Sequence, residues 1–149
     1  MTAVTEPSLY VALAATYKKS ISEHYKDLAL KLQVALNTQD LSLVDGLIHD
    51  DFFDVTGPPG MFPDGPEGVR QHILWLNRRF KDAKWEVQQA VAEGTTVVLR
   101  VRFTGTETEE GQPAPVGTRF TYAQAHFFEG RDGLLVQHIG VRSEQDISQ

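Results

Sequence analysis

The chain has no cysteine. That one absence excludes disulfides, thiolate nucleophiles and sulfur-ligated metal sites together. It also lacks any excess of positive charge: 14 Lys and Arg stand against 20 Asp and Glu, a formal net charge of −6. Binding a phosphate backbone requires a basic field, so nucleic acid is not an expected partner. No apolar run approaches the roughly 20 residues that span a bilayer, so membrane insertion is not expected either. The stretch MTAVTEPSLYVALAA has no basic start followed by a long apolar segment; no signal peptide is read, and the cytoplasm is the default location. Repeats, low-complexity tracts and long linkers are missing. What is present suits a packed core: 149 residues, 41% hydrophobic and 23% charged, consistent with one domain over 1–149.

The first half reads as helix. From Ser8 to about Asn37 breakers are rare, and Tyr25, Leu28, Leu32, Ala35 and Leu36 recur at three-four spacing, one apolar stripe. Tyr10 to Tyr17 forms a separate short helix or a disordered lead. A second short helix is expected after NTQD, capped by Asp40 or Ser42, with Leu43, Val44, Leu47 and Ile48 as its apolar side. DFFDV is a strand candidate. TGPPGMFPDGPEG holds four prolines and four glycines in thirteen residues and is a loop, read as a lip over a cavity mouth. A third helix is expected over PEGVRQHILWLNRRFKD, started by Pro66, with Val69, Ile73, Leu76 and Phe80 as its stripe. His24 and His72 fall on helices without obvious partners. In HDD, residues 49–51, consecutive strand side chains point to opposite sides, so no metal site is read there.

The second half reads as strand. Trp85, Val87, Gln89 and Val91 alternate in one stretch. In the next, Val97, Leu99, Val101 and Phe103 oppose Val98, Arg100, Arg102 and Thr104, which puts the two arginines on the outer surface. Two more strands follow, RFTYAQAHFFEG and LLVQHIGVR, joined by a tight turn. Tyr122, Gln124 and His126 share one face of the first; His138 and Arg142 share one face of the second. A polar ladder on a face expected to be apolar is costly to bury unless something uses it. Helices followed by a strand meander make an α+β layout: a cone-shaped barrel, three N-terminal helices packed on a curved, mostly antiparallel sheet.

The order NTQDLSLVDGLIHDDFFDV, Gly/Pro loop, GPEGVRQHI, VAEGTTVVLRVRFTGT and PVGTRFTYAQAHFFEGRDGLLVQHIGV resembles the SnoaL-like polyketide cyclases of the nuclear transport factor 2-like superfamily. The likeness implies a core over 23–143 with 1–22 as an extra segment. It implies that Tyr122, Gln124 and His126, and on the last strand His138, Gly140 and Arg142, point into a pocket. Compared with the related ketosteroid isomerases, Gln124 stands where they keep an oxyanion-binding acid, Thr56 where they have a carboxylate base, and Leu32 where they have a tyrosine. These substitutions speak against steroid-type isomerisation. The standard acid/base set of the cyclases is also absent: no carboxylate lies in Gly140 to Ser143, and Val55 and Glu107 replace histidines common among relatives.

The expectation is therefore a cofactor-independent cyclase of a small, largely apolar polyketide-type intermediate. Its mechanism would be substrate folding in a tapered pocket and polarisation of a carbonyl, with concerted ring closure among the options the resemblance allows. Aldol cyclisation, epoxide opening and a non-catalytic binding module are the rivals. His126, His138 and Asp54 are the candidate acid/base groups, since histidine exchanges protons near neutral pH. Tyr122, Gln124, Arg142, Trp75 and Leu32 are the candidate substrate-binding residues. No metal is called for. A homodimer is the superfamily expectation.

Overall fold

The structure, a computed structural model, describes residues 19–143. Two α-helices and five strands are built from them: α1 (Ile21–Thr38), a 3-10 turn (Leu41–Val44), β1 (Ile48–Asp54), α2 (Pro66–Arg79), β2 (Phe80–Glu93), β3 (Thr96–Glu107), β4 (Arg119–Arg131) and β5 (Leu134–Arg142). The sheet order is β1-β5-β4-β3-β2. β2 to β5 form an antiparallel meander, and β1 joins the far edge parallel to β5. No described helix is long and apolar enough to cross a membrane.

Helix α1 begins where Ser20 caps it, its side chain accepting from the Glu23 N–H. The stripe residues Tyr25, Leu28, Leu32, Ala35 and Leu36 are all buried. Gly130 permits the contact between Tyr25 and β4: a Cβ there would lie 2.1 Å from the Tyr25 ring. Asn37 then ties the helix end to β2. Its amide donates to the Trp85 carbonyl at 2.7 Å and accepts from the Trp85 N–H at 2.8 Å. The expected helix piece at Tyr10–Tyr17 lies outside the described residues.

Two of the helix expectations need correction. The second of the three helices is only the 3-10 turn Leu41–Val44, with Asp40 as its cap. Asp45 is extended and Gly46 turns the chain at φ 78°, so Ile48 already opens β1. The last helix stops at Arg79, and Phe80 starts β2, paired with Glu107. There its ring joins Phe103 and Phe120 in edge-on contacts.

Alternation on β3 is as expected. Val97, Leu99, Val101 and Phe103 are buried, and Arg100 and Arg102 are exposed. On β2 it fails halfway. The pairing slips between Val87 and Gln89, so Ala90 and Ala92 turn to the core and Val91 is exposed. A bulge inserts one residue and reverses the parity of the strand beyond it.

Candidate functional site

Three adjacent strands assemble the site. Parallel pairing sets Asp54 on β1 directly beside His138 on β5. Antiparallel pairing sets Phe128 beside His138 and Gly140 beside His126. His126 and His138 are therefore diagonal neighbours on one face, and their rings stack 5.0 Å apart at 19°. Gly140 leaves the space this needs: a Cβ would lie 3.1 Å from His138 Cε1 and 3.5 Å from His126 Nδ1.

The side chains form one hydrogen-bonded chain. His138 Nδ1 is 2.9 Å from Asp54 Oδ2, His138 Nε2 is 2.8 Å from His126 Nδ1, and His126 Nε2 is 2.8 Å from Gln124 Oε1. Asp54 Oδ1 accepts in addition from the Thr56 and Gly57 N–H groups and from the Thr56 hydroxyl. Thr56 Oγ1 in turn accepts from the Gly140 N–H at 2.7 Å. The Gln124 amide sets the direction of the chain. With its oxygen facing His126, Nε2 of that ring donates to it and Nδ1 accepts from His138 Nε2, while His138 Nδ1 faces the Asp54 carboxylate.

The electrostatics agree with that order. Burial, followed by repulsion from His138, pushes His126 down to about 3. At neutral pH it is an uncharged link. Asp54 is also held below its ordinary value. Burial, the largest single influence, pushes it up, but the hydrogen bond and charge of His138, the charge of His72 and the Thr56 N–H together outweigh that. His72 Nδ1 lies 3.8 Å from Asp54 Oδ2. Burial lowers His72, against the pull of Asp54.

These groups edge a cavity of about 230 Å³. Its wall is otherwise mostly apolar, with Leu32, Leu36, Val69, Ile73, Leu76, Trp85 and Phe128, and Gln33 is also among its lining residues. A second cavity of about 590 Å³ adjoins it, sharing Leu76, Trp85 and Gln124 as the dividing wall. The candidate residues are thus divided. Asp54, His126, His138 and Leu32 line the first cavity; Trp75, Tyr122 and Arg142 line the second; Gln124 reaches both. The Arg142 guanidinium lies 4.4 Å over the Tyr122 ring, a cation–π stack on the second-cavity side of Gln124, its strand partner.

The family model for SnoaL-like polyketide cyclases matches residues 26–149. The chain belongs to this family. A comparison with curated proteins finds no match. Among solved structures, TsrD from Streptomyces laurentii is similar with a TM-score of 0.68 and 24% identity, over 81% of this chain and 89% of that one. IdmH from Streptomyces antibioticus has a TM-score of 0.65 and 26% identity, over 80% and 91%. A SnoaL-like polyketide cyclase from Agrobacterium tumefaciens has a TM-score of 0.67 and 18% identity, over 80% and 91%. Membership supports a polyketide cyclase type of enzyme in general.

In this SnoaL-like chain some site residues and partners are not evident from the sequence. His72 shows no partner there, yet it lines the cavity, faces Asp54 and stacks on Phe62 of the Gly/Pro loop at 4.8 Å. A signal exists, since Val69, His72 and Leu76 fall on one helix face at three-four spacing. His24 likewise has a partner, the Gly133 carbonyl at 2.8 Å from its Nε2. Glu107 is 2% exposed and paired with both terminal nitrogens of Arg79 beside the second cavity. Its inward parity on β3 is legible; the arginine at the end of α2 is not. Gln33, buried next to Leu32, carries no distinguishing mark in the sequence at all.

Proposed function

We propose that the protein is a cofactor-independent cyclase that closes a ring in a polyketide-type intermediate by holding it folded and polarising one carbonyl. The observation that carries this reading is the engagement of both histidine rings. All four ring nitrogens of His126 and His138 lie in the chain from Asp54 to Gln124, so neither ring offers a free nitrogen to the cavity. What the chain does offer is a fixed amide. With Gln124 Oε1 held by His126, its Nε2 is left as a donor for a substrate oxygen, and among the described residues it has no other partner. An amide donor preorganised in a largely apolar cavity stabilises charge developing on a carbonyl oxygen without reorganising at the moment of reaction. The apolar walls supply the folding of the substrate. The adjoining larger cavity gives a substrate too large for the first cavity of about 230 Å³ somewhere to extend, past Gln124 towards Tyr122 and Arg142.

A second reading is favoured by His72. Its one ion-pair contact among the described residues is Asp54 at 3.8 Å, beyond hydrogen-bond range, so its nitrogens remain open for proton transfer in an aldol-type closure.

The test is ring closure itself. Purified protein is incubated with linear poly-β-ketone and conjugated polyene thioesters, and products are followed by mass spectrometry and NMR. A ring-closed isomer formed faster than in buffer is the expected result. No acceleration with any of these, and no binding of them, removes the cyclase.

A further inference from the structure

Gln33 sits on α1 with 4% of its surface exposed and lines the cavity that holds the histidines. Its Oε1 is buried and has no hydrogen-bond partner among the described residues. Buried amide oxygens are nearly always paired, because an unmade bond leaves the loss of water uncompensated. Nothing in the packing of the helix calls for an amide here. Leu32, Leu36, Ile73 and Phe128 around the same cavity are apolar, and an apolar side chain of equal length would fill the space without that cost. The oxygen thus lacks a donor among the described residues, and a molecule bound in the cavity that Gln33 lines can supply one.

The chemistry narrows the donor. A carbonyl oxygen only accepts. An ammonium would be poorly placed against a neutral amide among apolar walls, since a buried charge needs an opposite charge. The nearest carboxylate in the cavity, Asp54, already holds His138 and the Thr56 and Gly57 N–H groups. A neutral O–H fits. We infer that Gln33 Oε1 accepts a hydrogen bond from an enol or phenol hydroxyl of the substrate and selects hydroxylated polyketide intermediates over their deoxygenated counterparts. Naming the ligand a polyketide rests on the cyclase reading; the hydroxyl site does not. Gln33 and Gln124 then address the same ligand with opposite polarity, one accepting from a hydroxyl and the other donating to a carbonyl.

The probes are 1-naphthol and 1-methylnaphthalene, two ring systems of matched size of which only the first carries a donor. Binding is measured by NMR titration on wild type, Gln33→Met and Gln33→Leu, with thermal melts of each. Wild type is expected to bind 1-naphthol about tenfold tighter than 1-methylnaphthalene, and both variants to bring the two Kd values within about twofold. Gln33→Met is expected to melt higher than wild type, because it removes a buried polar atom that has no partner among the described residues. A merely structural glutamine would give the opposite shift. Equal binding of the two probes by wild type overturns the proposal, as does a preference for 1-naphthol that survives in both variants, or a lower melting temperature in both. Turnover is not needed for any of this. Preference for 1-naphthol without ring closure of any linear substrate leaves the hydroxyl site standing and removes the cyclase; ring closure without the preference does the reverse.

Discussion

His138 Nδ1 lies 2.9 Å from Asp54 Oδ2, and the two residues are direct partners in the parallel pairing of β1 with β5. The link belongs to the sheet rather than to a loop, so the sheet holds the acid end of the chain. Asp54→Asn replaces the anion by a neutral amide and should destabilise the protein by about 1–3 kcal/mol at pH 7. The folded carboxyl lies below its ordinary value of 3.8. Its contribution is therefore complete above that value and disappears as pH falls through the lower folded value. Urea unfolding of wild type and variant at pH 7 and again near pH 3 should show the gap closing at the acid end. A gap of equal size at both would mean the charge contributes nothing.

His126 gives a second and distinct acid dependence. The folded ring titrates at about 3, against an ordinary 6.5. Below pH 6.5 the unfolded chain takes up a proton that the folded chain refuses, so stability is full above 6.5 and declines towards pH 3. The slope is at most about 1.4 kcal/mol per pH unit. His126→Gln should flatten the curve in that window. The imidazole 15N shifts of His126 should stay constant from pH 8 to pH 5; a midpoint near 6.5 would contradict the neutral link.

Gly140 is expected to tolerate no side chain without cost. A Cβ placed 3.1 Å from His138 Cε1 requires that ring to give way by a few tenths of an ångström, and His138 is held from both sides. Gly140→Ala should loosen the contact between the two rings and destabilise the protein by about 1 kcal/mol. Denaturant unfolding measures it, and the NMR signals of both imidazoles should shift. An unchanged midpoint would show that the rings adjust freely.

The fold is legible where the sequence period is intact. On β3 the alternation of Val97, Leu99, Val101 and Phe103 with Arg100 and Arg102 names the inner and outer faces correctly. On β2 the same reasoning puts Val91 inside, because a bulge has no signature in the pattern of Val87, Gln88 and Gln89. The short second helix fails for a local reason, Gly46 at positive φ. The pairing of Asp54 with His138 cannot be read at all, since it depends on β1 joining β5 across 84 positions of chain. Nor can the division into two cavities, which Leu76 from α2, Trp85 from β2 and Gln124 from β4 create jointly. Strand parity predicts which way a side chain points; it does not predict what will be packed opposite.

Gln124 carries the proposed mechanism, and its substitution separates binding from rate. Gln124→Leu keeps the size of the side chain and removes the donor. A donor used chiefly in the transition state should be lost from kcat, by about 10–100-fold, with KM changed much less. A rise in KM alone, with kcat intact, would make Gln124 a binding contact only.

His72 decides between the two ways of closing the ring. It lines the same cavity as Gln124, has open nitrogens and stacks on Phe62. His72→Phe preserves a ring for that stack and removes the nitrogens. If closure is achieved by holding the substrate and polarising one carbonyl, no proton need leave carbon through the protein, and the variant should turn over within about threefold of wild type, general acid–base groups being worth about 100-fold or more where they act. Product formed in D2O should then carry no deuterium at the new ring carbons beyond that of the buffer control. In an aldol-type closure the C–H bond next to the carbonyl breaks, the proton passes to the protein, and the enolate carbon bonds to a second carbonyl whose oxygen is protonated in turn. Then His72→Phe should lose about 100-fold or more in turnover. Burial lowers His72 below its ordinary 6.5, so in that case it would be unprotonated and competent as a base at neutral pH, and the acid limb of the wild-type rate profile would fall below 6.5 and vanish in the variant.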